Sequence, residues 1–205
     1  MALIVQKFGG SSVKDAEHLR NVADIVTGTY KNGNDVVVVV SAQGDTTDDL
    51  IDKAKEINRN PSKREMDQLL TAGEQISASL LAMTIEDLGY PVVSLLGWQA
   101  GFSTSTAYGS ARIKRVNPER IKAELSKRNI VVVTGFQGVN KYDDMTTLGR
   151  GGSDTSAVAT PTCARSIRMW TAFIRQTRAK FRRRGSSTSS LTTRCWSLRR
   201  WARRC

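Results

Sequence analysis

The chain reads as an α/β protein, a largely parallel sheet sandwiched by helices. Two observations predict this. Short apolar runs rich in β-branched residues stand at 2–7, 35–41, 92–96 and 130–136, and segments with the helical three-and-four spacing alternate with them. Strands that are apolar at nearly every position suit a sheet covered on both faces, and a repeating strand–helix order produces parallel pairing.

Each element has its own justification. Residues 2–7 form a first strand that feeds the turn Gly9-Gly10-Ser11-Ser12. Residues 15–29 carry Ala16, Leu19, Val22, Ala23 and Val26 on one helical face. The run 35–41 is continuous and β-branched, a strand covered on both sides. Helices are expected over 48–58 and 63–88, the second bent near Gly73, and a third strand over 92–96 after Gly89-Tyr90-Pro91. A helix at 118–127 then leads to a fourth strand at 130–136. No internal repeat or low-complexity linker interrupts the chain before residue 160.

Composition divides the 205 residues sharply. The chain holds 31 Lys+Arg, 19 Asp+Glu and 3 Cys, a net charge of +12. Residues 1–159 hold 18 Lys+Arg and all 19 acids, so this body is near neutral. Residues 160–205 hold the other 13 basic residues and no acid. All three cysteines (Cys163, Cys195, Cys205) lie there, with Trp170, Trp196 and Trp201, beside four aliphatic residues only: Ile167, Ile174, Leu191 and Leu198. The two parts are expected to be distinct: 1–159 a folded portion, 160–205 a basic, disordered tail. No run is long enough for a transmembrane helix. The N-terminus lacks a basic segment followed by a long apolar one, so it is not a secretory signal. A cytoplasmic protein without a membrane partner is the expectation. The cysteines have no metal or disulfide spacing. His18, the only histidine, reads as a solvated residue of the first helix.

In such sheets ligands sit beyond the C-terminal strand ends, and four segments there are unusual. Lys7-Phe8-Gly9-Gly10-Ser11-Ser12 joins a cation to two glycines before a helix, which suits phosphate, although an ordinary strand-to-helix turn looks similar. It is not the GxxxxGK[ST] pattern. The stretch 41–49 combines hydroxyls, Gly44 and a helix start, with Thr47 or Asp48 able to cap that helix. Gly73, before Glu74, costs about 1 kcal/mol against Ala inside a helix, which signals a kink or a close approach. The stretch 146–156 brings Gly149, Arg150, Gly151, Gly152 and a Ser-Asp-Thr-Ser helix start, an anion-binding combination.

Taken together, KFGGSS, VVVVSAQGDTTDDL, LLTAGEQ, GWQAG, VTGFQGV and TTLGRGGSDTSA, in this order, resemble the aspartate kinases of the amino acid kinase superfamily. The resemblance runs from residue 2 to 159. It implies ATP-dependent phosphorylation of the L-aspartate β-carboxylate, the first step towards lysine, threonine and methionine. Mg²⁺ would arrive with ATP rather than in a protein metal cluster. By resemblance, Lys7 and Asp154 are the catalytic pair. Lys7, Phe8, Gly9, Gly10, Ser11 and Ser41 face ATP. Asp45, Thr46, Thr47, Glu74, Arg150, Gly151, Gly152, Ser153 and Asp154 face aspartate, Glu74 pairing with its ammonium. The family is usually homo- or hetero-oligomeric and takes no specific nucleic acid. Gln43 stands where many members have Met.

The resemblance stops after Ala159, where the composition breaks. The family continues with a segment like ADLCEIYTDVDGVYTADPR, while this chain reads TPTCARSIRMWTAFIRQTRAKFR. A one-base shift connects the two. Joining the last base of each codon to the first two of the next, Met169-Trp170 forces Val, Trp170-Thr171 forces Asp, Cys195-Trp196 forces Leu and Trp201-Ala202 forces Gly. Each falls where the family shows that residue, and the other tail positions admit the family sequence. The tail therefore reads as the same gene out of frame, and the chain as an impaired, truncated enzyme. The competing reading is a basic arm that binds polyanions nonspecifically.

Overall fold

The computed structural model describes residues 2–149 and 151–160, and the backbone of 167–169. Five strands form the central sheet: β1 (Leu3–Phe8), β2 (Asp35–Val40), β3 (Val92–Leu95), β6 (Ile130–Thr134) and β9 (Ile167–Met169). Their order is β3-β6-β2-β1-β9, and every neighbouring pair is parallel. The register sets Leu3 against Asp35 and Val37 against Val131.

β2 lies at the centre, and its five valines are all fully buried. Side chains alternate across a strand, so Val36, Val38 and Val40 enter one core and Val37 and Val39 the other. The first core is closed by α1 (Ala16–Lys31) and α3 (Lys63–Asp87), through Leu19, Val22, Val26, Leu81 and Ile85. The second is closed by α4 (Glu119–Ser126) through Ile121, by α5 (Gly152–Ala159) through Ala157, and by Phe102. The unbroken valine run is thus explained by two apolar faces.

Phe102 belongs to a second sheet that the sequence pattern did not reveal. β4 (Phe102–Thr104), β5 (Ile113–Val116), β7 (Gln137–Val139) and β8 (Met145–Thr147) pair in the order β5-β4-β7-β8. These strands are three or four residues long, too short to show an alternation. Their pairing mixes antiparallel and parallel neighbours, with a register shift at Ser103/Thr104.

α3 is one helix, as expected, and a close approach at Gly73 is present: a Cβ there would stand 2.9 Å from Ala42 Cβ. Other expectations need correction. α2 spans Thr46–Ile57, so Thr47 and Asp48 lie in its first turn and do not cap it; Asp45 holds the cap position without a side-chain bond. His18 is only partly solvated. Its side chain is 17% exposed, Nδ1 lies 2.6 Å from Asp15 Oδ1, and Nε2 is buried without a partner. Asp15 caps α1 through the His18 amide and draws the imidazole onto the same carboxylate.

The tail was expected to be without order, yet 167–169 form a strand beside β1, pairing Leu3 with Ile167 and Val5 with Met169. Backbone hydrogen bonds carry such pairing, so an otherwise bare strand edge accepts many sequences. The expected disorder of 161–166 and 170–205 lies outside the described residues.

Candidate functional site

Three parallel strands end at one side of the sheet, and the segments that leave them build a cleft. β1 ends at Lys7 and Phe8, β2 delivers Ser41 and Ala42, and β6 leads to Gly135 and Phe136. The cleft encloses about 530 Å³. Lys7, Gly10, Ser41, Thr47, Glu74, Gly151, Gly152, Ser153 and Asp154 line it, all of them residues singled out from sequence.

The loops after β1 and β2 are clasped together. Gly44 donates its amide to the Gly10 carbonyl at 3.1 Å, and Gln43 Nε2 donates to the Val13 carbonyl at 2.6 Å. A Cβ on Gly10 would lie 2.5 Å from the Ala42 carbonyl oxygen, so only glycine permits this approach. Gln43 has a structural role that sequence reasoning did not give it.

Lys7 Nζ lies 3.0 Å from Asp154 Oδ1. The lysine side chain is 14% exposed and the aspartate 54%, so the pair meets solvent from the cleft side. Asp154 sits in the first turn of α5, which begins after Gly151 (φ 78°) with no side-chain cap. An uncapped helix start facing a lysine favours an anion.

Glu74 enters from α3. Its Oε1 accepts the Ala42 amide at 3.1 Å, while Oε2 is buried without a partner. Burial pushes its carboxyl up to about 7, against the lowering effect of the Ala42 hydrogen bond. An unpaired buried carboxylate oxygen in a cleft suits a cationic ligand group.

Other sequence candidates sit elsewhere. Phe8 is fully buried in the apolar core, because the strand alternation turns it inward. Ser11 and Asp45 are exposed and Thr46 lies close to Gly73, whereas Gly9, which accepts the Ser12 amide, stays beside the cleft: a Cβ there would stand 3.9 Å from Lys7 Nζ. Arg150 lies outside the described residues. Sequence reasoning missed Asp67, Thr147, Gly109 and Phe136, which also line the cleft. Phe136 holds φ at 67°, unusual outside glycine, where the chain turns out of β6. Asp67 precedes Glu74 by two helical turns, the one signal that could have found it.

Glycine turns at the ends of two parallel strands, with the Lys7–Asp154 pair beside them, place the cleft at one end of an α/β sheet. The chain belongs to the amino acid kinase family, whose model matches residues 2–169. It is 57% identical over 159 residues to an aspartokinase of Bacillus sp. (strain MGA3), covering 78% of this chain and 39% of that one. It is 58% identical over 160 residues to an aspartokinase of Corynebacterium glutamicum, covering 78% and 38%. The chain thus spans about two fifths of the length of these relatives. Among solved structures, the aspartate kinase from Synechocystis superposes with a TM-score of 0.66 at 45% identity, over 78% of this chain and 26% of that chain. E. coli aspartokinase III in complex with aspartate and ADP shares the fold, with a TM-score of 0.66 at 23% identity over 82% and 49%. Among the described residues, no helix is long and apolar enough to cross a membrane.

Proposed function

We propose that the cleft is the aspartate- and phosphate-facing part of an aspartate kinase site, which transfers the γ-phosphoryl group of ATP to the β-carboxylate of L-aspartate. One observation carries the reading. A single cleft holds the Lys7–Asp154 pair at the end of β1 and, on α3, the unpaired Oε2 of Glu74. The first suits a phosphoryl group, the second an amino acid's ammonium.

In the step, a carboxylate oxygen attacks the γ-phosphorus and the bond to the β-phosphate oxygen breaks, giving aspartyl phosphate and ADP with no net proton transfer. Phosphoryl transfer depends on positioning and charge neutralisation. Lys7 neutralises the transferring oxygens, and Asp154 holds Lys7 in place. The Gly10 turn offers backbone dipoles to phosphate, and the start of α5 offers them to the aspartate carboxylates. Thr47 and Ser153 orient the aspartate, and Arg150 pairs with a carboxylate. Among the described residues, no cluster of three or more His, Cys, Asp or Glu could hold a metal ion. The residues present fit a Mg²⁺ that is bound chiefly by phosphate oxygens and water, which would supply further charge neutralisation.

Residues 160–205 belong to this reading as an out-of-frame continuation. The similarity to the curated relatives covers 159 or 160 of the 205 residues, and residues 160–205 carry no acid. The chain as written is then impaired, and its basic tail binds polyanions without specificity. Trapping of aspartyl phosphate with hydroxylamine tests both statements. The chain as written gives little or no product, and a chain with the tail re-read in the shifted frame gives more. Equal rates from the two remove the frame-shift reading; product from neither removes the kinase reading.

A further inference from the structure

Asp67 is 1% exposed, has no part in the chemistry above, and accepts four hydrogen bonds. The Gly109 amide reaches Oδ1 at 3.0 Å and Oδ2 at 2.9 Å. The Thr147 amide donates to Oδ2 at 2.9 Å and the Thr147 hydroxyl to Oδ1 at 2.7 Å. All these donors are neutral. A carboxylate shut away from water is tolerated when both oxygens are satisfied in this way.

The donors belong to the lining of the cleft. Ala111 donates its amide to the Thr147 carbonyl at 2.8 Å, so the 105–111 loop and β8 move together. From Thr147 the chain runs through Leu148, whose amide is held by the Phe136 carbonyl at 2.8 Å, to Gly151, Gly152 and Ser153. A second link from α3 to this region, Arg64 to Asp144, lies at the surface, the arginine half exposed. Asp67 makes one interior link, on the helix that also presents Glu74; Gln137, the register partner of Thr147, makes another by donating to the Thr71 carbonyl at 3.0 Å.

We infer that Asp67 is a positioning residue: its carboxylate fixes the Gly109–Thr147 wall against α3 and so sets the distance between Glu74 and the Gly151–Ser153 segment that takes the substrate's carboxylates. This rests on the proposed reading of the cleft as an amino-acid site. A carboxylate is needed because every facing group is a donor. An asparagine turns one N–H towards those donors and loses one side of the clamp.

The test is Asp67→Asn in the full chain, by hydrogen exchange and by titration. We expect the amides of Gly109 and of 147–153 to exchange about tenfold faster, while those of β1, β2 and β6 keep their rates. Uniform acceleration across the sheet, or none, overturns the inference. Isothermal titration should show L-aspartate affinity falling about tenfold, with a non-hydrolysable ATP analogue within about twofold of the parent. Equal losses for both ligands overturn it. If the parent chain binds the ATP analogue and not L-aspartate, the substrate reading fails, and the exchange arm alone decides on Asp67. Should the Asn variant not fold, Thr147→Val removes only the hydroxyl donor and should accelerate exchange at 147–153 in the same direction; unchanged rates there overturn the clamp.

Discussion

Glu74 holds the Ala42 amide through Oε1 at 3.1 Å, and its other oxygen, equally shut away from water, holds nothing. The carboxyl is therefore easier to keep neutral than charged, and burial moves it up to about 7.

This fixes a pH dependence. Between about 4.5 and 7 the folded chain binds this proton and the unfolded chain releases it, so stability falls as pH rises through that window and is flat above it. Glu74→Gln keeps an acceptor for Ala42 and lacks the penalty. Urea midpoints should coincide below pH 4 and favour the Gln variant at pH 8, by up to about 3 kcal/mol at about 1.4 kcal/mol per pKa unit. Parallel profiles across the range count against the burial argument.

A ligand ammonium at Oε2 should reverse that preference. Binding of L-aspartate at pH 6 would then charge Glu74 and release a proton. Calorimetric binding enthalpies should depend on the ionisation heat of the buffer, and the dependence should vanish in Glu74→Gln. A buffer-independent enthalpy in the parent chain argues against ammonium at this position.

Lys7→Ala should weaken a non-hydrolysable ATP analogue by about tenfold or more, the size of one lost charge-assisted hydrogen bond. Its partner Asp154 is 54% exposed, so the change strands no buried charge and the melting temperature should hardly move. Unchanged nucleotide affinity removes Lys7 from the phosphate role.

Two glycines make an internal control. Gly10→Ala sets a Cβ 2.5 Å from the Ala42 carbonyl and should destabilise the fold by about 1–3 kcal/mol. Gly28→Ala, exposed on α1 with nothing within 4 Å of the added atom, should stabilise it by about 0.5–1 kcal/mol. Denaturant melts that show equal effects at the two sites would sink the clasp between the first two loops.

At the other end of the sheet, Arg128 bonds Asp35 Oδ1 at 2.7 Å, lies 4.9 Å from the Tyr30 ring centroid, and accepts the Tyr30 hydroxyl on its carbonyl at 2.9 Å. A double-mutant cycle with Arg128→Ala and Tyr30→Leu should give a coupling of about 0.5–1 kcal/mol. Strict additivity would reduce the contact to mere proximity.

The central sheet was legible because its strands are unusual as sequence: nothing but a two-faced strand explains Val36–Val40. The second sheet was not, since three-residue strands such as Gln137–Val139 have no period to detect. Lys7, Glu74 and the 151–154 turn were legible from their glycine-rich settings. Asp67 was not, because a single Asp in a helix reads as surface; only the fold shows the Gly109 and Thr147 donors converging on it. Phe8 misled for the opposite reason: its neighbours belong to the turn, but its own side chain follows the strand.

The placement of β2 between β1 and β6 has a consequence during synthesis. As the ribosome extends the chain, β2 can zip onto β1 almost at once, since Leu3 and Asp35 are near in sequence. Its other edge must wait for Val131–Thr134, most of the body later. For that interval five consecutive valines present an uncharged ribbon with one edge unpaired, the kind of segment that joins neighbouring nascent chains. Slowing translation between residues 41 and 130 should therefore lower soluble yield more than slowing it after 135.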